Sequence, residues 1–194
     1  MLVKGRNMML RTVQESDLAV LYPYHTDIEG RGPYFPLYIP SESEFRRSYQ
    51  ESGFWSSQEG DVLICDLDGR LLGVILYFKG APYLTGYEIG YRLFDPAANS
   101  GRGIITEALL LMTYILFALY PINRLELKIV PENKASRRVA EKCGYQYEGT
   151  LRGAAFIRGR YADFEVWSIL RSEAPASLEE ALRRLPGPKE SISK

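Results

Sequence analysis

The sequence predicts a single α/β domain in which a mixed central sheet is flanked by helices. Three consecutive β-rich runs, then an apolar helix and a strand, then further strands near the end of the chain support this fold class. The 194 residues are 46% hydrophobic, which is enough for a substantial core. We expect the domain to span residues 1–172, and residues 173–194 to form a short helix and a flexible tail.

The first elements lie on either side of a long loop. Residues 8–12 predict a strand and residues 15–24 a helix, and the Pro-, Gly- and Tyr-rich segment that follows predicts a loop or lid. Ser41 and Glu44 have the spacing of a capping box. A second helix should therefore begin there and continue to about Glu51.

Three antiparallel strands should come next. Two β-rich runs, residues 61–66 and 71–78, flank an Asp-Gly pair, which is a strong hairpin signal. Residues 87–93 then alternate between apolar side chains and the set Glu88, Gly90 and Arg92, as expected of a strand with two different faces.

The second half of the chain begins with a very apolar helix, expected from Gly103 to about Leu119. A strand at residues 124–130 should follow, and then a helix at residues 133–143, because Gly144 suits the position just past a helix end. The last expected elements are strands at residues 145–151 and 161–170 and a small helix that begins at Ser177.

The charge balance and the cysteine content argue against several classes of protein. The charges of the 24 basic and 24 acidic residues cancel, so the chain has no excess positive charge that would favour binding to nucleic acid or to a membrane surface. Cys65 and Cys143 lie in unrelated contexts, and no metal site is expected. The N-terminus lacks a signal-peptide pattern, and residues 108–120 are too few to span a bilayer, so we expect a cytoplasmic protein. The oligomeric state is open between a monomer and a homodimer.

The stretch Asn99-Ser-Gly-Arg-Gly-Ile-Ile-Thr-Glu-Ala, immediately before the apolar helix, indicates a phosphate-bearing ligand. Glycines at a helix start suggest open N–H groups, and helix N-termini attract anions. A Walker loop is excluded, because Ile104 and Ile105 stand where Lys and Ser or Thr are required. A dinucleotide fingerprint is weakly supported, since Thr106 replaces its third glycine.

A second motif lies further along the chain: Asn133-x-x-Ser136-x-x-x-Ala140-Glu-Lys-x-Gly144-Tyr145-x-x-Glu148-Gly149-x-x-Arg152. In this order and spacing, the two motifs resemble the acyl-CoA-binding half of the GCN5-related N-acetyltransferases, the GNAT superfamily. The chain looks most like the branch that acetylates the N-termini of ribosomal proteins and many small amines. The resemblance covers about residues 6–170.

The resemblance implies a sheet that is splayed at an acetyl-CoA site, and it implies the residues that bind the coenzyme. By match to the family, Asn133 contacts the pantetheine arm. The alternative for the two glycines is a plain helix-entry turn without a ligand. The residues matched to the pyrophosphate loop are Ser100, Gly101, Arg102, Gly103, Ile104 and Ile105.

The resemblance also suggests two catalytic residues. Glu88 lies on the strand before the phosphate loop, where the family has a carboxylate base; the alternative is a structural residue paired with a neighbouring Arg. The tyrosine acid of many members is absent, because Val139 and Ala140 occupy that position. In the ribosomal-protein branch a serine three residues after the asparagine takes this role, which here is Ser136; a capping or pantetheine hydrogen bond is the alternative.

The implied function is transfer of an acetyl group from acetyl-CoA to a primary amine by direct attack in a ternary complex. The amine is a small amine, an amino acid derivative or a protein N-terminus. A glutamate base of the ribosomal-protein branch is replaced by the segment 153–155, Gly-Ala-Ala, which argues against a ribosomal N-terminus. A non-catalytic acyl-CoA-binding protein and a nucleotide-binding module are the alternatives.

The Tyr-rich loop is the expected acceptor region. Its aromatic residues either wall a pocket or cover the sheet, and Asp27 and Glu29 are available to attract an ammonium group. The only histidine, His25, has no accompanying nucleophile motif, so a Ser-His-Asp triad is not expected. The aromatic residues considered are Tyr22, Tyr24, Tyr34, Phe35, Tyr38, Phe54, Trp55 and Tyr83.

Overall fold

The computed structural model describes residues 2–35, 38–80, 83 and 85–185. Its strands are β1 Leu2–Lys4, β2 Met9–Thr12, β3 Glu59–Cys65, β4 Leu71–Lys79, β5 Gly86–Leu93, β6 Arg124–Ile129, β7 Gln146–Ile157 and β8 Arg160–Leu170. Its helices are α1 Leu18–Thr26, α2 Glu42–Ser52, α3 Pro96–Asn99, α4 Ile104–Leu119, α5 Lys134–Lys142 and α6 Leu178–Arg183, with a 3-10 turn at Glu15–Asp17 before α1.

All eight strands form one sheet in the order β1-β2-β3-β4-β5-β6-β8-β7. Neighbouring strands are antiparallel except β5 and β6, which are parallel. Residues Gly86, Tyr87 and Glu88 of β5 pair with Arg124, Leu125 and Glu126 of β6. Beyond Glu88 the two strands diverge, so the sheet is splayed at their carboxyl ends. The predicted α/β domain with a mixed, splayed sheet is therefore confirmed.

Helices cover both faces of the sheet. Helix α4 lies on the face that we call the α4 face, where Leu109 and Met112 pack with Ile75 and Leu125 in the main hydrophobic core. Helices α1 and α2 lie on the opposite face, the α1 face. There a smaller cluster is formed by Val13, Leu18, Leu21, Phe45, Leu63 and Cys65.

Most predicted elements are present, with bounds that differ by a few residues. Strand β1 and helix α3 were not predicted, because each is too short to show a periodic pattern. Strand β7 continues past the predicted end at Leu151, because a register shift between Leu151 and Ala155 preserves its pairing with β8. The hairpin then turns at Arg158 and Gly159, which both have positive φ angles, 52° and 80°.

The C-terminal prediction is met only in part. Helix α6 begins after Ser177, whose side chain accepts a hydrogen bond from the Glu180 N–H. Most of the predicted tail lies outside the described residues, and the boundary at residue 172 stays a prediction. Among the helices of the described ranges, none combines the length and the apolar character that a membrane span requires.

Candidate active site

A cavity of about 180 Å³ lies where β5 and β6 diverge. The ends of these two strands form its floor, the loop before residue 36 forms one wall, and the start of α5 forms the other. The lining residues are Arg31, Gly32, Pro33, Tyr34, Phe35, Ile89, Gly90, Tyr91, Arg92, Leu127, Lys128, Ile129, Val130, Asn133 and Ser136.

The glycine loop, residues 100–105, runs from the end of α3 into the first two residues of α4, outside the cavity lining. Gly101 and Gly103 have φ angles of 77° and 79°, and a Cβ on either would meet nothing within 4 Å. The glycines are thus required by the backbone conformation, and space is open in front of them. No hydrogen bond within the described residues uses the N–H groups of residues 101–105. These groups at the start of the 16-residue helix α4 suit an anion.

Two contacts hold this loop in place. Arg102 Nη1 donates to the Asn99 side-chain oxygen at 3.0 Å, and the Asn99 amide donates to the Asp95 carbonyl, also at 3.0 Å. Ile104 is buried in the main core. The loop is therefore anchored at both ends, and its exposed centre, Gly101 to Gly103, faces solvent.

The start of α5 brings the two candidate residues of the second motif into the cavity. The Asn133 side chain caps the helix by accepting a hydrogen bond from the Ser136 N–H at 3.1 Å. The capping role considered for Ser136 therefore belongs to Asn133. The Ser136 hydroxyl has no partner among the described residues, and the Tyr91 hydroxyl donates to the Ser136 carbonyl at 3.5 Å.

Glu88 occupies the last paired position of β5 before the cleft opens. Lys128 Nζ donates to Glu88 Oε2 at 2.6 Å, and the Glu88 side chain is 17% exposed. The partner of Glu88 is therefore a lysine from β6 and not the neighbouring arginine considered in the sequence. Glu88 itself does not line the cavity, whereas Lys128 does.

Two arginines of the cavity were missed by the sequence analysis. Arg31 is only 9% exposed and donates to the carbonyls of His25 and Tyr38 at 2.9 and 2.8 Å. Arg92 projects from β5 on the α1 face and donates to the Tyr24 carbonyl at 2.7 Å. The alternation of side chains in β5 places Arg92 on the face of the sheet away from the main core. No local sequence pattern indicates that Arg31, 61 residues earlier in the chain, lines the same cavity.

The predicted acceptor residues are mostly dispersed. Tyr34 and Phe35 line the cavity, whereas Tyr24 stacks on Phe94 at 4.0 Å. The other aromatic side chains cover the sheet or face solvent: Tyr22 and Phe54 pack in the smaller cluster, Trp55 packs against Tyr77, and Tyr38 and Tyr83 are exposed. The interpretation that most of these residues simply cover the sheet is the one that fits.

The two acidic residues of the loop also lie away from the cavity lining. Asp27 accepts a hydrogen bond from the Gly30 N–H at 2.9 Å, and Glu29 is 94% exposed, 3.7 Å from Arg158. His25 packs on Phe45 with ring centroids 5.0 Å apart. None of these three residues contributes to the cavity.

Burial shifts the pKa values of several groups on the α1 face. Desolvation, together with the charges of Arg92 and Arg31, lowers the pKa of His25 to about 4. Desolvation and the nearby Arg31 lower the pKa of Arg92 to about 10. Desolvation and the nearby Glu59 raise the pKa of Asp61 to about 6. His25 is therefore neutral at pH 7, which disfavours it as a charged catalytic group.

Comparison with known proteins identifies the family. The profile of the Acetyltransferase (GNAT) domain matches residues 7–146. The chain belongs to the GNAT acetyltransferase family. A probable N-acetyltransferase, YjcK of Bacillus subtilis, is 37% identical over 109 residues, or 55% of this chain and 58% of the relative. The aligned part thus spans little more than half the length of that relative.

Two further similar proteins are named for different acceptors. The ribosomal-protein-serine acetyltransferase of Escherichia coli is 27% identical over 136 residues, or 69% of this chain and 74% of the relative. The spermidine N-acetyltransferase of Vibrio cholerae, solved in complex with CoA and spermine, has the same fold with a TM-score of 0.74. That structure is 21% identical and covers 86% of this chain and 97% of its own.

The resemblance inferred from the two motifs is confirmed, as is the expectation of an acetyltransferase fold. Within the described ranges, no group of three or more His, Cys, Asp or Glu side chains is arranged to hold a metal ion.

Proposed function

We propose that this protein is an N-acetyltransferase that moves the acetyl group of acetyl-CoA to a primary amine by direct attack in a ternary complex. The observation that carries the proposal is the pairing of a glycine loop with free N–H groups and a cavity at the divergence of β5 and β6. The first suits a pyrophosphate and the second suits the reacting end of the coenzyme. The family and the CoA bound to a solved relative support this assignment.

The residues proposed to bind the coenzyme follow from the same arrangement. Residues 100–105 hold the pyrophosphate through their N–H groups, with the dipole of α4 adding to the attraction. Asn133 contacts the pantetheine arm through its side-chain NH₂ group, since its side-chain oxygen caps α5 and its backbone N–H and carbonyl are already hydrogen-bonded to Val130 and Arg137. The thioester is activated before it binds, so positioning supplies much of the rate.

Glu88 and Ser136 are proposed as the proton acceptor and the proton donor. Glu88 lies where β5 and β6 begin to diverge, held by Lys128, and accepts the ammonium proton directly or through a water molecule. Ser136 lines the cavity with a hydroxyl that has no partner among the described residues. It gives its proton to the departing thiolate and regains one from the attacking nitrogen, which loses its second proton as the amide forms. Acyl transfer then needs no covalent enzyme intermediate.

The alternative is an acyl-CoA-binding protein without catalytic activity, which the ion pair of Glu88 favours because a paired carboxylate is a common structural feature. Release of CoA with any member of an amine panel excludes this alternative. We also propose a cytoplasmic location, as expected from the sequence.

Calorimetric titration with acetyl-CoA, beside ATP and NAD, tests the coenzyme assignment. We expect acetyl-CoA to bind in the micromolar range, ATP and NAD not to bind, and Gly103→Val to weaken acetyl-CoA binding at least tenfold. Gly53→Val is the matched control, because Gly53 also has a positive φ, 62°, with open space around a Cβ, but caps α2 outside the site. Equal losses in both variants, or no binding by folded wild-type protein, would contradict the proposal.

A further inference from the structure

The cavity carries a surplus of positive charge. Three cationic side chains line it, Arg31, Arg92 and Lys128, and no carboxylate does. Lys128 is neutralised by its ion pair with Glu88. The two arginines make no ion pair within 4.0 Å in the part of the chain that the structure describes.

Arg31 is the more deeply buried of the two arginines. Its side chain packs with the guanidinium 5.4 Å from the centroid of the Phe35 ring, and its Nε is buried without a hydrogen-bond partner. Its Nη1 donates to two loop carbonyls, so the guanidinium is held in position. A buried donor without a partner is costly unless a ligand or water satisfies it.

The acidic groups nearest to the arginines do not pair with them. Asp61 lies across the sheet from Gly90, through Leu76 of β4, and forms no ion pair within the described residues. Asp27 is occupied by the Gly30 N–H, and Glu29 lies beside Arg158 at the surface. Desolvation lowers the pKa of both arginines, and the charge of Asp61 opposes this lowering and so offsets part of their charge, but no carboxylate of the described residues forms an ion pair with either. A surplus of positive charge therefore remains at this end of the cavity.

We infer that Arg31 and Arg92 bind a carboxylate carried by the acceptor, so that the substrate class is an amine with a nearby acidic group. This inference rests on the proposed function and names its substrate class. A guanidinium presents paired donors that match a carboxylate, and burial strengthens such charge-assisted bonds. A polyamine, whose charges are all positive, is disfavoured in the same cavity.

Two dipeptide amides that share one reacting amine test the inference. Ser-Glu-amide and Ser-Gln-amide differ in one charge, and Ser-Glu-amide should have a kcat/KM at least tenfold higher with acetyl-CoA. Equal values, or a preference for the neutral peptide or for spermidine, would overturn the inference. This comparison uses the wild-type protein and does not depend on any variant being folded.

Arg92→Gln tests whether the arginines cause the preference. The variant should bring the ratio of the two kcat/KM values close to one, whereas Arg92→Lys should keep part of it. Arg46→Gln is the control, because Arg46 lies at the surface of α2 and pairs with Glu42. A ratio that is unchanged in Arg92→Gln and in Arg31→Gln would overturn the assignment of both residues.

A binding measurement separates this inference from the proposed function. N-acetyl-Ser-Glu-amide and N-acetyl-Ser-Gln-amide are titrated calorimetrically into the protein saturated with CoA. Tighter binding of the acidic product, by about tenfold, supports the inference even if no acetyl transfer is detected. Equal binding of the two products beside measurable acetyl transfer would contradict the inference and leave the proposed function intact.

Discussion

The two faces of the sheet satisfy their buried polar groups to different degrees. On the α4 face, the Tyr145 hydroxyl lies 2.9 Å from Thr113 Oγ1, and Glu107 accepts hydrogen bonds from the N–H groups of Arg6 and Asn7. On the α1 face, the Arg31 Nε is buried without a partner, and Asp61 has no ion pair in the described residues. The α4 face is the more completed scaffold, because its buried donor without a hydrogen bond among the described residues, Arg137 Nε, still lies 3.2 Å from Glu165 in an ion pair. The α1 face retains groups that a ligand can satisfy.

The largest expected effect is on the rate and comes from Glu88 on the α1 face. Glu88→Gln should lower kcat about 100-fold and flatten the fall of kcat/KM at acidic pH, because the proposed base loses its proton-accepting group. Acetyl-CoA affinity should not change. Glu126→Gln is the control, since Glu126 is the cross-strand neighbour of Glu88 but pairs with Arg124. A pH profile of Glu88→Gln that matches the wild type would remove Glu88 from this role.

A smaller rate effect is expected from Ser136→Ala. As the proposed acid, Ser136 should contribute about tenfold to kcat, since a thiolate is a good leaving group and needs little assistance. The acetyl-CoA dissociation constant separates the two roles considered for this serine. A weaker affinity with an unchanged kcat would indicate a pantetheine hydrogen bond instead of proton donation.

Asp61, which has no ion pair among the described residues, should lower the free energy of unfolding at neutral pH relative to a neutral side chain at this position. The folded-state pKa is about 6, above the ordinary value of 3.8, so the folded state binds the proton more tightly and wild-type stability falls as pH rises through this interval. Asp61→Asn should therefore add about 1–2 kcal/mol of stability at pH 7, less than the full linkage value because the residue is partly exposed.

Urea unfolding of wild type and Asp61→Asn at several pH values measures this difference. The gain should grow from nearly zero below pH 4 to a plateau above pH 6, following the pKa values of 3.8 and about 6. A destabilised variant at pH 7 would show that Asp61 is a paired structural residue, and the contrast between the faces would then be lost.

The smallest expected effect is on the α4 face and has the opposite sign. Tyr145→Phe removes one partner of the buried hydrogen bond with Thr113 and should cost about 1 kcal/mol. Burial raises the pKa of Tyr145, so its hydroxyl stays protonated and this loss should not depend on pH between 5 and 9. Thermal unfolding of the two proteins over that range checks both statements. A stabilised variant would contradict the description of this face as completed.

The sequence predicted the features that local chemistry determines. The helix caps at Ser41 and Ser177 depend on a few neighbouring residues, and both are present. The family was also predicted correctly, from the order and spacing of the glycine-loop motif and the motif that begins at Asn133. The length of β7 was not predicted, because it depends on pairing with β8 across a bulge.

The side-chain pairs across the cleft could not be predicted from the sequence either. Lys128 reaches Glu88 because β5 and β6 are neighbours in the sheet, although helices α3 and α4 separate the two strands in the chain. Arg31 and Arg92 line the same cavity only because the loop that carries Arg31 folds over the end of β5. The sequence instead suggests Asp27 and Glu29 as groups near the acceptor, because nothing in the local pattern shows that these exposed side chains lie away from the cavity.

A crystal structure of the protein with CoA tests the central claim most directly, that one ligand joins the glycine loop to the splay of the sheet. The account predicts pyrophosphate oxygens about 3 Å from N–H groups of residues 101–105, with the thiol between β5 and β6 beside Ser136. CoA bound elsewhere, or a thiol that does not reach the divergence of these strands, would contradict the account.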